Sequence, residues 1–138
     1  MHLNTILSKK ILAWYDNSKR NLPWRVSKKS PKKVYYRILS EFMLQQTQVK
    51  TVIPYFNRFI KKFTTLKSLS KSNEKQILKL WEGLGYYRRA RNLLASSKIL
   101  VKKYNSKLPY TIEEVKKLPG VGDYTANALL SLIHNQPK

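Results

Sequence analysis

The sequence predicts an all-α fold. Apolar residues recur at helical spacing along most of the 138 residues. Glycine and proline fall mainly between these segments, where they begin or end helices. No segment has the alternating apolar and polar pattern of a strand, and no repeat or low-complexity stretch is present. With 42% hydrophobic residues, the chain is long enough to bury one core, so we expect a single compact helical domain.

The first predicted helix covers residues 5–15 and ends by Ser18. Its apolar positions lie roughly on one face: Ile6, Leu7, Ile11, Leu12, Trp14 and Tyr15. Pro23 biases Leu22 away from the helical conformation, so residues 21–25 are expected to form a loop.

The next two helices are predicted from a cap signal and from periodicity. Ser30 and Pro31 suit the start of a helix, whose apolar stripe is Val34, Tyr35, Ile38, Leu39 and Phe42. Polar side chains replace that stripe at residues 45–48. A further helix covers residues 49–63, where Pro54 should kink or restart it.

Two helices are expected in the middle of the chain. Ser72 can cap a short helix that reaches Trp81, and residues 83–85, Gly-Leu-Gly, then end it. Residues 86–104 form the longest predicted helix, with an apolar side and several exposed basic residues.

A helix-hairpin-helix is predicted at residues 111–133. Thr111 and Glu114 have the spacing of a capping box at the start of its first helix. The turn is LPGVG at residues 118–122, and the second helix starts at Asp123. The first amides of that helix lack intrahelical acceptors and lie at the positive end of its dipole, where an anion can bind. The alternative is an ordinary tight turn between two packed helices.

The charge of the chain indicates a polyanionic partner. Its 28 Lys and Arg against 7 Asp and Glu give a net charge of +21, spread over nearly every segment. Such a field attracts nucleic acid. The alternative is a compositional bias toward Lys, Asn, Ile and Tyr that leaves some lysines as solvated surface.

The composition also excludes several classes of site. The chain has no cysteine, and therefore no disulfide, thiolate zinc site or thiolate-held iron-sulfur cluster. No apolar run reaches membrane-spanning length, so we expect no membrane association and a cytoplasmic, DNA-associated protein.

Several strings, in order, resemble one family. They are LPW at residues 22–24, LSEFMLQQTQV at 39–49, WEGLGYY at 81–87, RARNL at 89–93 and the LPGVG turn. Together, from about Ile11 to about Ile133, they resemble the MutY-type adenine DNA glycosylases of the helix-hairpin-helix base-excision superfamily, which includes endonuclease III. The resemblance implies an N-terminal helix at 1–21 and most of a six-helix barrel at 22–138.

The resemblance implies removal of adenine opposite 8-oxoguanine or guanine, after the adenine has left the base stack. Glu41 corresponds to the family's general acid, which protonates N7 of the purine. The residue type suits this chemistry, because a purine leaves well only when protonated and an apolar setting raises the pKa of a carboxyl group. The apolar neighbours are Ile38, Leu39, Phe42 and Met43. The alternative is a solvated helix glutamate.

Other positions match residues that contact DNA in the family. Gln45 and Gln46 match amides that fill the gap left by the flipped base; their alternative is polar capping of a helix end. Tyr86 matches a tyrosine that stacks beside 8-oxoguanine and helps to kink the duplex, as an aromatic wedge can. The alternative is that Tyr86 lies in the core. We assign the next residue, Tyr87, to the core.

The hairpin and the basic residues match the parts of the family that hold the DNA backbone. The amides of Gly120, Val121 and Gly122 match those that bind a phosphate, often with an alkali cation nearby. The salt-dependent part of the affinity is assigned to the basic side chains: Arg88, Arg89, Arg91 and the lysines. The expected partner is double-stranded DNA with a mismatch or an oxidised guanine; the sequence fixes no oligomeric state, a monomer being the simplest.

Two positions bear on the type of reaction. Tyr124 stands where bifunctional members carry a lysine nucleophile, and a phenol cannot form an imine. We therefore expect a monofunctional enzyme. Asp123 stands where members usually carry a basic or neutral residue, and we expect it to cap the second helix.

The resemblance covers part of the family's architecture. The sequence stops at Lys138, before the position of the second catalytic carboxylate, an aspartate, and glycosidic cleavage generally uses two carboxylates. We therefore expect impaired catalysis. No cofactor is expected in this chain; the iron-sulfur cluster belongs to full-length members. Because the N-terminal helix packs with later helices in the family, we also expect reduced stability and exposed apolar surface around Trp14.

Two further functions remain as alternatives. One is a thymine glycosylase of the same superfamily acting on T opposite G, since some of these also carry tyrosine at the Tyr124 position. The other is a catalytically inactive DNA-binding fragment. The run of glutamines from Gln45 to Gln48 favours the adenine glycosylase.

Overall fold

The structure, a computed structural model, describes residues 22–135. Seven α-helices and no strand occur in this range, which confirms the all-α prediction. They are α1 (Lys33–Leu44), α2 (Val49–Lys62), α3 (Leu66–Ser70), α4 (Glu74–Trp81), α5 (Arg88–Tyr104), α6 (Ile112–Lys116) and α7 (Asp123–His134). The predicted helix at 5–15 and the surface around Trp14 lie outside the described residues. Across 22–135, no helix is both long and apolar enough to cross a bilayer.

Helix α1 lies at the centre of the described fold. It packs against α2, α5 and α7, and its apolar stripe is buried: Ile38, Leu39, Phe42 and Met43. The pattern that predicted this helix arises because three neighbours exclude water from the same side chains. The C-terminal end of α1 is therefore held firmly against the elements that follow.

Edge-to-face aromatic contacts join elements between residues 24 and 81. The ring of Phe56 on α2 lies 5.2 Å from the rings of both Trp24 and Tyr36, and Phe59 lies 5.7 Å from Trp81 on α4. Such pairs add to the free energy gained by burial alone. They fix the loop before α1 and the end of α4.

Helix α4 begins one residue later than the sequence indicated. Its cap is Asn73, whose side chain accepts from the amide of Gln76 at 2.9 Å while the Gln76 side chain accepts from the Asn73 amide at 3.2 Å. Ser72 is buried, and its hydroxyl donates to the Leu69 carbonyl at 2.6 Å. The prediction of Ser72 as the cap is wrong, because its hydroxyl is used in the preceding turn.

Other details of the helices also differ from expectation. Pro54 was expected to kink or restart its helix; the segment forms one helix, α2, so no restart occurs. Val52 and Phe56 are buried on either side of the proline and hold the helix in place. Helix α5 begins at Arg88, two residues after the predicted start, because Tyr86 has a φ of 50° and cannot belong to a right-handed helix.

Candidate nucleic-acid interface

A cleft of about 640 Å³ lies between the end of α1 and the hairpin before α7. We call it the acid cleft. Its lining residues are Glu41, residues 44–49, Gly120, Tyr124 and Thr125. The fold therefore brings together five residues that the sequence singled out from positions far apart in the chain: Glu41, Gln45, Gln46, Gly120 and Tyr124.

Glu41 lines this cleft from the last turns of α1. Its side chain is half-buried, and its neighbours Phe42 and Met43 are fully buried. The carboxyl group thus lies at the boundary between core and cleft, where a substrate would complete its desolvation. The elevated pKa expected for Glu41 stays a prediction. Tyr124, also in the lining, is 78% exposed.

Gln45 joins the end of α1 to the hairpin. Its side-chain nitrogen donates to the Gly120 carbonyl at 3.3 Å and to the Thr125 hydroxyl at 3.2 Å. In this arrangement the donors that were expected to enter a duplex are used within the protein. Gln46 is exposed and has a φ of 60°, so it is the amide that projects from the surface.

A second cleft, of about 380 Å³, lies on the other side of the glutamine pair. We call it the wedge cleft, lined by Gln45, Gln46, Tyr86, Arg88, Arg89 and Asn92. Tyr86 is 61% exposed here, so the core alternative for this residue does not hold. Gln46 lines both clefts and separates Glu41 from Tyr86.

Tyr87 is exposed, and its assignment to the core is wrong. Its hydroxyl accepts a hydrogen bond from the Gly83 amide at 3.3 Å. The left-handed conformations of Gly83, Gly85 and Tyr86 turn the chain just before it, and this turn directs the ring along the surface.

Arg89 does not contribute to an exposed basic surface, which corrects the expectation that it binds phosphate. It is buried, and its guanidinium donates to backbone carbonyls at the end of α1 and at Gly85. Burial lowers the pKa of Arg89, and the nearby Tyr86 partly opposes this shift. Arg88 is exposed. Arg91 forms an exposed ion pair with Glu74 at 2.6 Å.

Only some of the backbone amides that were predicted to bind an anion at the hairpin are available for it. The Val121 amide donates to the Leu118 carbonyl at 3.1 Å, so it is not directed at a ligand, and its role in phosphate binding is corrected accordingly. The amide of Ala126 donates to Gly122 at 2.9 Å as the first i to i−4 bond of α7. The amides before it form the first turn and lack intrahelical acceptors, as an anion site requires.

Asp123 does not cap α7. Gly122 occupies the cap position, and the Asp123 carboxylate pairs with the ammonium of Lys116 on α6 at 2.6 Å. This hydrogen bond is the main reason that the pKa of Lys116 is raised. The pair spans the turn between α6 and α7, so the Asp123 carboxylate is engaged with α6.

Three polar residues that position the interface were not singled out from the sequence. The Thr125 hydroxyl accepts the hydrogen bond from the Gln45 side chain described above. Ser96 is buried on α5 and donates to the Pro119 carbonyl at 2.9 Å, which ties the hairpin to that helix. Asn92 lies directly beneath Gly120, since a Cβ at Gly120 would lie 2.7 Å from its amide nitrogen. These contacts join elements far apart in sequence, and no local pattern signals them.

Comparisons with known proteins agree with this geometry. The family model described as HhH-GPD superfamily base excision DNA repair protein matches residues 39–135. The adenine DNA glycosylase of Buchnera aphidicola subsp. Baizongia pistaciae is 51% identical over 126 residues, 91% of this chain and 35% of that protein. The enzyme of the same name from Rattus norvegicus is 41% identical over 137 residues, 96% of this chain and 27% of that protein. The chain thus spans about a third or less of the length of these relatives.

Solved structures show the same fold. A thermostable thymine-DNA glycosylase superimposes with a TM-score of 0.73 at 23% identity, covering 96% of this chain and 59% of that one. A non-covalent endonuclease III–DNA complex gives 0.69 at 23% identity, with 92% and 60% covered. The chain belongs to the HhH-GPD superfamily of base excision DNA repair proteins.

Proposed function

We propose that this chain removes adenine paired with 8-oxoguanine or guanine from double-stranded DNA, by hydrolysis of the N-glycosidic bond. The observation that carries the proposal is the acid cleft, in which the half-buried Glu41 faces the hairpin and the exposed Gln46. The relatives named adenine DNA glycosylase, at 51% and 41% identity, support the choice of base.

Hydrolysis of the N-glycosidic bond needs a proton donor for the leaving base and a water molecule. Protonated Glu41 gives its proton to N7 of an adenine placed in the acid cleft; the bond from C1′ to N9 breaks and its electron pair leaves with the neutral adenine. Water then adds at C1′ of the sugar cation and releases a proton to solvent. A second carboxylate generally stabilises the sugar cation. Within the described residues Glu41 is the one carboxylate that lines this cleft, and Asp123 is engaged with Lys116. The acid step is therefore the part that we assign to these residues.

The binding mode follows from charge and from the hairpin. The net charge of +21, the exposed Arg88 and the first-turn amides of α7 favour the phosphate backbone. We propose a steep loss of affinity with added salt and a site of action on cytoplasmic DNA. We assign no cofactor, because the chain lacks the cysteines that hold the iron-sulfur cluster expected in full-length members.

Tyr124 supports a monofunctional reaction. It lines the acid cleft at the position of the lysine nucleophile of bifunctional members, and its phenol cannot attack C1′ to form an imine. The product we propose is an intact abasic site.

A substrate panel tests the proposal. Single-turnover reactions at low salt compare duplexes with A opposite 8-oxoguanine, A opposite G, T opposite G and a matched pair, and alkali then cleaves any abasic site. We expect strand cleavage from the first two duplexes only after alkali, and no trapped complex with borohydride. Cleavage of the T opposite G duplex alone would favour the thymine glycosylase. Binding of all four without base loss would contradict catalysis and leave a DNA-binding protein.

A further inference from the structure

One buried guanidinium connects two of the exposed residues of the wedge cleft, Gln46 and Tyr86. Arg89 Nη1 donates to the Met43 carbonyl at 2.5 Å, to that of Phe42 at 3.4 Å and to that of Gln45. Its Nη2 donates to the Gly85 carbonyl at 3.1 Å. The residues that follow these last two carbonyls are Gln46 and Tyr86.

Both of those residues have left-handed backbones. The φ of Gln46 is 60° and that of Tyr86 is 50°, although neither residue is glycine. A non-glycine residue in this region is strained and persists only where its surroundings hold it. Arg89 supplies such a hold on both turns at once, since it binds the carbonyl immediately before each.

The geometry around Arg89 makes the unit rigid. Its guanidinium lies 5.3 Å from the ring centroids of both Trp81 and Tyr86. Trp81 is fully buried, and its indole nitrogen donates to the same Gly85 carbonyl at 2.9 Å. The planar fork of arginine, with donors in fixed directions, can serve two chain segments in a way that a lysine cannot.

We propose that Arg89 is a positioning residue that holds Gln46 and Tyr86 at a fixed separation, so that both side chains meet the duplex as one unit. The proposal rests on the proposed function for its DNA partner. Its physical content is the coupling of the two turns, which exists without DNA.

The first experiment measures amide hydrogen exchange of the full chain without DNA. Arg89→Lys should raise exchange in segments 45–48 and 84–90 together, because the charge remains but the fork is lost; the hydrogen-bonded amides there include Thr47, Leu84 and Ala90. Trp81→Phe keeps a ring beside Arg89 but removes the indole donation to Gly85 and part of the buried packing, so it should loosen segment 84–90 more than segment 45–48. Tyr35→Phe, which removes a buried hydrogen bond to Phe63 outside both clefts, is the control for general destabilisation and should leave both segments unchanged. Unchanged exchange in Arg89→Lys, or loosening of one segment only, overturns the proposal.

The second experiment places a fluorescent adenine analogue next to the A opposite 8-oxoguanine and follows its unstacking. Wild type should raise the fluorescence on binding. Arg89→Lys, corrected for its folded fraction, should bind matched duplex as wild type does but lose the fluorescence rise. Its preference for the lesion duplex should fall at least about fivefold, the lower end of what one aromatic stack on a base contributes.

The outcomes separate this proposal from the proposed function. If the wild-type protein releases no adenine, the proposed function is contradicted, while hydrogen exchange and analogue fluorescence still test the role of Arg89. If the wild-type protein binds without unstacking the analogue, the proposal that Gln46 and Tyr86 meet the duplex as one unit is overturned. Equal unstacking and equal lesion preference in Arg89→Lys and wild type also overturn it.

Discussion

The side-chain amide of Gln45 donates to the carbonyl oxygen of Gly120 at 3.3 Å, across 75 positions of sequence. This contact joins the end of α1, which carries Glu41, to the hairpin that we propose holds the DNA backbone. Because the same nitrogen also reaches the Thr125 hydroxyl, this one side chain contributes two of the contacts that fix the relative position of acid and hairpin.

Replacement of Gln45 by methionine should therefore lower stability and adenine release together. The side chain keeps its length but loses both donations, and the free energy of unfolding should fall by about 1 kcal/mol. Urea unfolding checks this. Lys102→Gln, a change at an exposed position of α5, should stay within about 0.5 kcal/mol of wild type. Equal stability of both variants would show that the Gln45 contacts contribute nothing.

The two hairpin glycines should respond differently to alanine. Gly120 has a φ of 79°, and a Cβ there would lie 2.8 Å from the Cβ of Asn92, an atom fixed to the backbone of α5. Gly120→Ala should destabilise the protein by more than about 1 kcal/mol, from strain and from this collision.

Gly122 is the matched control. Its φ is −95°, and a Cβ would meet nothing within 4 Å. Gly122→Ala should be nearly neutral in thermal unfolding, since the poorer cap and the stiffer unfolded chain act in opposite directions. A larger loss at Gly122 than at Gly120 would contradict the hairpin geometry.

Tyr35 should make the protein sensitive to alkali. Its buried hydroxyl donates to the Phe63 carbonyl at 2.7 Å, and burial raises its pKa well above the usual value, with a smaller contribution from Tyr36. The unfolded chain therefore releases this proton at about pH 10, while the folded chain retains it. Stability is full below that pH and falls as the pH rises further.

Urea unfolding from neutral pH to about pH 11 measures this dependence. Tyr35→Phe should be less stable than wild type at neutral pH, by about 1 kcal/mol, and should lose less stability in alkali. Parallel pH profiles for the two proteins would show that Tyr35 does not carry the effect.

Helix positions were predictable because burial and periodicity coincide. In the apolar stripe predicted for α1, Tyr35, Ile38, Leu39 and Phe42 are buried and Val34 is half-buried, because three helices pack against α1. Boundaries were less predictable where two adjacent residues could serve the same purpose. Ser72 and Asn73 are both good caps, and only the turn that uses the Ser72 hydroxyl selects Asn73.

The residues of the candidate site could be predicted from the sequence, but the contacts that each of them makes could not. Arg88, Arg89 and Arg91 look equivalent in sequence, yet the structure exposes the first, buries the second beneath two turns and pairs the third with Glu74. Tyr87 was predicted to lie in the core but is exposed. Its direction is set by the left-handed turn before it, which depends on tertiary contacts. Long-range hydrogen bonds to backbone carbonyls leave no periodic signal.

The central claim is that Glu41 gives the proton that releases adenine. The most direct measurement is the single-turnover rate from a duplex with A opposite 8-oxoguanine, at low salt, for wild type and Glu41→Gln. We expect the rate to fall at least about 100-fold in the variant, the scale of general acid catalysis, while its affinity for the duplex stays within about twofold of wild type. Equal rates in the two proteins would remove Glu41 from the reaction and contradict the account.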